Sequence, residues 1–109
     1  MGLFTVGQII VLPFPFSDLT QNKYRPGLLL ANVEYGDWIV CQITSKSYTG
    51  RHAIEIQNSD LLVGNLRQVS YVRVSKLFTA KESVFTGIIG QLKPEKLRLI
   101  KDAVILLMR

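Results

Sequence analysis

The apolar stretches of this chain are short, rich in β-branched residues and separated by proline, glycine or polar clusters, and this pattern restricts the fold most. The first run, Val6 to Leu12, is followed by Pro13 and Pro15, which donate no ladder hydrogen bonds and therefore end a strand. The next two runs, Pro26 to Val33 and Trp38 to Ile43, are separated by a polar turn sequence. Such spacing indicates antiparallel strands joined by tight turns.

Later segments extend the same pattern and then change it. Ala53 to Gln57 alternates with a period of two, as does Val72-Arg73-Val74 within the predicted strand Gln68 to Val74, and Phe85 to Ile89 supplies a further short strand. After Pro94, apolar residues recur at helical spacing, at Leu97, Ile100, Val104, Leu107 and Met108. The sequence therefore predicts a mainly β fold, a small barrel or strongly curved sheet of five to seven strands with a C-terminal amphipathic helix.

Length and charge narrow the class of protein. With 109 residues, the chain is expected to form a single domain spanning residues 1–109. Its net charge of +5 favours acidic or polyanionic partners, although a solvated basic surface gives the same value. Cys41, the only cysteine, lies within an apolar run and is expected to be buried. No signal-peptide or membrane-spanning pattern is present, so a cytoplasmic protein without membrane association is expected.

Polar groups at the ends of two predicted strands are the candidates for chemistry. Arg25 precedes the strand that starts at Pro26, and its planar guanidinium can bind two phosphate oxygens at once. Thr44 follows the next strand, and its hydroxyl can hydrogen-bond to a phosphate oxygen. The less specific interpretations are that Arg25 caps a strand and that residues 43–47 form a hairpin loop.

Cleavage of RNA without a metal ion needs few groups, because the 2′-hydroxyl beside the scissile phosphate is itself the nucleophile. An enzyme must orient it and stabilise the negative charge that develops on the phosphorane. Ser45, Lys46 and Arg73 are further candidates for contact with such a substrate. Phe14 and Phe16 flank Pro15 and are candidates for stacking on a base, the alternative being that both rings pack in the core.

Other kinds of site lack support in the sequence. His52 stands alone, without carboxylates at metal-ligand spacing, so no metal site and no cofactor are predicted. The sequence contains neither a Gly-rich phosphate loop nor a Gly-x-Ser-x-Gly nucleophile motif.

Taken in order along nearly the whole chain, these segments resemble the MazF/PemK-like toxins. The similarity rests on the order and spacing of several motifs rather than on any single one. They are Gly7-Gln8-Ile9-Ile10-Val11-x-x-Phe14, Arg25-Pro26, Ile43-Thr44-Ser45, Ser70-Tyr71-Val72-Arg73-Val74-x-Lys76-Leu77 and Ile89-Gly90-x-Leu92, followed by the closing helix.

The resemblance implies an SH3-like barrel, a homodimer, and a metal-independent endoribonuclease that cuts single-stranded RNA at short sequences and is inhibited by an acidic antitoxin. Arg25 and Thr44 match the family's catalytic arginine and threonine. On this interpretation Phe14, Phe16, Ser45, Lys46 and Arg73 contact the RNA.

The chain also departs from the family pattern. Some members carry Arg-x-Asp on the later strand, whereas this chain has Ser75 in place of the acidic residue, so activity is expected either to rest on Arg25 and Thr44 alone or to be reduced. The alternative function is a non-catalytic module on the same barrel that binds nucleic acid or protein, because such barrels host many functions.

Overall fold

The computed structural model describes residues 3–13, 23–47 and 50–109. Within these residues the chain forms seven strands and one α-helix. The strands are β1 (Gln8–Pro13), β2 (Tyr24–Asn32), β3 (Asp37–Thr44), β4 (Ala53–Ile56), β5 (Leu61–Gly64), β6 (Ser70–Lys81) and β7 (Gly87–Leu92), and the helix is α1 (Pro94–Met108). Short 3₁₀ turns, Glu34–Gly36, Asn58–Asp60 and Glu82–Val84, precede β3, β5 and β7.

All seven strands belong to one antiparallel sheet with the order β4-β6-β3-β2-β1-β7-β5. The three central strands β1, β2 and β3 are consecutive in sequence, and strands consecutive in sequence are commonly neighbours in a sheet. The mainly β fold with a C-terminal helix is confirmed.

Each face of the sheet carries its own apolar cluster, because successive strand residues point to opposite sides. One cluster includes Leu28, Cys41 and Val72, and α1 packs against it through Ile100. The other includes Leu29 and Val40. Neighbouring residues of β2 thus pack in different clusters, on opposite faces of the sheet. This explains why the sequence of the strand is a continuous apolar run and does not alternate between apolar and polar residues.

Two strands differ from the sequence-based prediction. β5 was not predicted, since its four residues follow directly on a 3₁₀ turn. β6 continues to Lys81, well beyond the predicted end at Val74. The pairing of β3 with β6 shifts register between Cys41 and Gln42, so the alternation of β6 is interrupted near Ser75 although the strand continues.

Candidate functional site

The register of β2 and β3 places the two predicted catalytic residues on the same side of the sheet. Gly27 pairs with Gln42, and two residues further on in each strand, at their adjoining ends, lie Arg25 and Thr44. Residues two apart in a strand share a face, so these two side chains are cross-strand neighbours. The sequence predicts a strand that starts at Pro26, with Arg25 at the end of the preceding loop. In the structure β2 begins at Tyr24 and Arg25 pairs with Leu12 of β1, so Arg25 lies within the strand.

A glycine allows this part of the sheet to pack closely. A Cβ atom on Gly27 would lie 2.6 Å from Cγ1 of Val40, which is closer than atoms in contact allow. The sequence Arg25-Pro26-Gly27 therefore combines the candidate side chain with a position at which a Cβ atom would clash with Val40.

Arg25 and Thr44 both line an open pocket of about 350 Å³. Its apolar part includes Pro26, Ile43 and Ile89, and polar side chains come from the ends of β2 and β3 and from the segment between β5 and β6. The described lining residues are Tyr24, Arg25, Pro26, Ile43, Thr44, Ser45, Asn65, Leu66, Arg67, Gln68, Ser70 and Ile89. Apolar surface with a few convergent polar groups is the usual composition of a ligand site.

The Thr44 side chain is fixed by its surroundings. Only 7% of the residue is exposed, and its Oγ1 accepts a hydrogen bond of 3.2 Å from the backbone N–H of Lys46. With that acceptor position occupied, the hydroxyl hydrogen of Thr44 remains free to be donated to a bound anion.

The pocket carries positive charge. Arg25 and Arg67 contribute guanidinium groups, and none of the described lining residues is acidic. In the described parts of the chain, neither arginine forms a salt bridge. Two cations with no carboxylate among the described lining residues favour an anionic ligand such as a phosphate.

The other predicted contact residues are distributed less closely. Ser45 lines the pocket and Lys46 follows it as an exposed residue. Arg73 pairs with Gln42 and is not among the described lining residues. Phe14 and Phe16 lie outside the described residues.

Arg73 has an unusual environment on β6. Its Nε is buried and, among the described residues, has no hydrogen-bond partner. Its carbonyl oxygen accepts a hydrogen bond of 3.0 Å from the thiol of Cys41, and burial raises the pKa of that thiol to about 12. The thiol is therefore protonated at neutral pH and acts as a donor in the core.

Sequence reasoning missed the contribution of the segment 65–69, which brings Arg67 and Gln68 to the pocket. Gly64-Asn65 is a turn signal between two apolar runs and could have indicated a loop that presents Arg67.

Across the described segments, no cluster of three or more His, Cys, Asp or Glu side chains could hold a metal ion. α1 is too short and too polar to cross a membrane, and it is the only α-helix in the described segments.

The fold and site define a small mainly β protein with a cationic pocket at the ends of two central strands. The family model described as "PemK-like, MazF-like toxin of type II toxin-antitoxin system" matches residues 5–108. The chain belongs to this toxin family. A search of curated proteins gives no significant match.

Solved structures share the fold at low sequence identity. A mycobacterial endoribonuclease in complex with its cognate antitoxin has a TM-score of 0.71 and 18% identity, covering 94% of this chain and 92% of that one. MazE-MazF (Form-III) from Deinococcus radiodurans has a TM-score of 0.72 and 16% identity, covering 98% and 97%. The Mycobacterium tuberculosis toxin MazF-mt6 has a TM-score of 0.68 and 18% identity, covering 89% and 91%.

Proposed function

We propose that this protein is the toxin of a type II toxin-antitoxin system and acts as a metal-independent endoribonuclease on single-stranded RNA. The observation that carries the proposal is the placement of Arg25 and Thr44 on neighbouring strands, where both line one cationic pocket. Family membership and the endoribonucleases among the structural neighbours support the same activity.

In the proposed reaction the 2′-oxygen of the substrate attacks the adjacent phosphorus. The new O–P bond forms as the bond to the 5′-oxygen breaks, leaving a 2′,3′-cyclic phosphate and a 5′-hydroxyl. The Arg25 guanidinium binds the oxygens that gain charge in the phosphorane, and the Thr44 hydroxyl donates to one of them. The backbone of Arg25 is held in a paired strand and Thr44 is buried, so the two strand ends that carry these groups are ordered before the substrate arrives.

We also expect this protein to cleave RNA slowly, because the described residues of its site include no side-chain base. The lining residues described include no carboxylate and no histidine to accept the proton from the 2′-hydroxyl. Ser75, which stands where some family members have an acidic residue, is exposed on β6. Proton transfer to and from solvent then replaces a side-chain base, whose absence typically costs ~10²- to 10⁴-fold in rate.

The proposed assembly is a cytoplasmic homodimer that is inhibited by an acidic antitoxin. Large apolar side chains are exposed on β5 and β7, with Leu62 58% and Val63 59% accessible, and Ile88 lies nearby. Exposed apolar patches of this kind mark interaction surfaces. The cationic pocket suits both an RNA backbone and an acidic peptide, so the two should compete.

Incubation of the purified protein with a long single-stranded RNA in excess EDTA tests the activity. Discrete fragments from the wild type and intact RNA with Arg25→Ala are expected. Arg51→Ala is a matched control, because Arg51 is exposed and is not among the described residues lining this pocket. Fragments produced equally by Arg25→Ala would refute the assigned role, and intact RNA with the wild type would refute the activity.

A non-catalytic RNA-binding module is the second candidate, and the absence of a carboxylate among the described lining residues favours it. It predicts that RNA binds with an affinity that falls as salt rises and is recovered uncut. Measuring binding and cleavage in the same samples separates the two functions.

A further inference from the structure

The segment between β5 and β6 forms a wall of the pocket and is fixed by one side chain. The amide of Asn58 makes two hydrogen bonds to the backbone of Leu66. Its Oδ1 accepts from the Leu66 N–H at 2.6 Å, and its Nδ2 donates to the Leu66 carbonyl at 3.3 Å. Leu66 itself is buried, which anchors the segment from the other side.

Asn58 is in turn part of an ordered 3₁₀ turn. The flanking residues Gln57 and Asp60 form a reciprocal capping arrangement, in which Oδ2 of Asp60 accepts from the N–H of Gln57 at 3.0 Å. The backbone carbonyl of Asp60 accepts from the N–H of Lys93, directly before α1. The two Asn58–Leu66 hydrogen bonds, here called the clamp, are therefore connected through this 3₁₀ turn to the start of α1.

The residue that follows the clamped Leu66 is Arg67, an exposed cation that lines the pocket with Arg25 and Thr44. In the described residues Arg67 has no carboxylate partner, so its charge is available to a ligand. A pocket of about 350 Å³ is near the lower end of the range for small ligands, ~300–1,000 Å³, and so accommodates about one nucleotide.

We propose that Arg67 binds a phosphate adjacent to the scissile phosphate and that Asn58 is the positioning residue that holds it there. This inference rests on the proposed function for the identity of the ligand, RNA. Arg25 and Arg67 then bind consecutive phosphates of one strand, with the nucleotide between these phosphates in the pocket that both residues line. Gln68, on the same segment, also lines the pocket.

The test compares three short RNAs that contain the same mapped cut site. One is unmodified, one carries a neutral methylphosphonate in place of the phosphate on the 5′ side of the scissile phosphate, and one carries it in place of the phosphate on the 3′ side. On the unmodified RNA, Arg67→Ala is expected to lower kcat/KM about 10- to 100-fold, as for loss of one charge-assisted contact. On one of the two modified RNAs Arg67→Ala should have no further effect, because its partner charge is absent. An equal effect of Arg67→Ala on all three RNAs would overturn the proposal.

The positioning role of Asn58 has its own readout. Asn58→Ala should reproduce the selective loss of kcat/KM seen with Arg67→Ala. The double variant should have the same kcat/KM as Arg67→Ala alone, since both substitutions remove the same contact between Arg67 and the phosphate. Ser59→Ala, an exposed neighbour in the same turn, is the matched control and should be unaffected. Losses that add in the double variant, or that are equal on all RNAs, would show a merely structural role for Asn58.

Binding distinguishes failure of this inference from failure of the proposed function. In the Arg25→Ala background, the plot of log affinity for single-stranded RNA against log salt concentration has a negative slope. The magnitude of this slope should fall by about 0.7 with Arg67→Ala. It should fall equally with Asn58→Ala, recover with Arg67→Lys and stay unchanged with Arg51→Ala. RNA left uncut by the wild type refutes the nuclease alone, whereas a slope that Arg67→Ala does not change refutes the Arg67 contact.

Discussion

Replacing Thr44 separates the catalytic contribution of its hydroxyl from its contribution to the fold. Thr44→Val exchanges the hydroxyl for a methyl group of similar volume, and Thr44→Ser keeps the hydroxyl but removes a methyl group. The residue is 7% exposed, and Oγ1 accepts one hydrogen bond from the backbone of Lys46. Because Lys46 is exposed, water can replace that partner in the valine variant.

The two variants are expected to lose similar stability. The Lys46 hydrogen bond contributes about 0.5–1.5 kcal/mol to the free energy of unfolding, and the buried methyl group contributes about 0.8 kcal/mol. Their activities should differ far more. Loss of one preorganised donor to the phosphorane costs ~10²- to 10³-fold in rate, so Thr44→Val should be nearly inactive while Thr44→Ser retains most activity.

The assay measures kcat/KM on a fluorogenic RNA that contains the cut site, alongside urea unfolding of each variant. If the valine variant cleaves at the wild-type rate, Thr44 donates no catalytic hydrogen bond. Parallel losses of rate in both variants, in proportion to stability, would show that the residue acts only through the fold.

Three further outcomes follow from the geometry. Arg25→Lys should lose about 10²-fold in cleavage rate at an unchanged Tm, because the ammonium group lacks the two-pronged donor geometry; near wild-type cleavage would refute that role. Gly64→Ala should destabilise the protein in urea by ~1–3 kcal/mol more than Gly50→Ala: both have positive φ, but a new Cβ meets the Ile89 carbonyl at the first site and open space at the second. The pKa of the buried Cys41 thiol is raised from 9.0 to about 12, so the unfolded chain ionises first and stability falls between those values. The advantage of wild type over Cys41→Ala in urea should shrink by about 1 kcal/mol from pH 8 to pH 10, and a constant difference would contradict it.

The strands that flank the site could be predicted closely because their apolar runs are nearly continuous. β3 spans Asp37–Thr44 against a predicted run from Trp38 to Ile43, and the helix begins at Pro94 as expected. Periodicity failed where the pairing shifts register. On β6, the polar pair Ser75 and Lys76 read as the end of a strand, although the strand continues to Lys81.

The site itself was predictable only in part. Arg25 and Thr44 could be identified because each adjoins a clear apolar run, and antiparallel pairing of consecutive strands brings those ends together. Arg67 could not be placed in the same way. The neighbouring Leu66 is hydrogen-bonded by the Asn58 side chain, a contact between residues that no periodic pattern connects.

Attack by the 2′-hydroxyl within the Arg25 and Thr44 pocket is the central claim, and a single 2′-deoxy substitution at the nucleotide whose 3′-phosphate is cleaved tests it most directly. The account predicts that this RNA binds with nearly unchanged affinity and is not cut, while the unmodified RNA yields fragments with 5′-hydroxyl ends. Cleavage of the deoxy-substituted RNA at the same position and rate would contradict it.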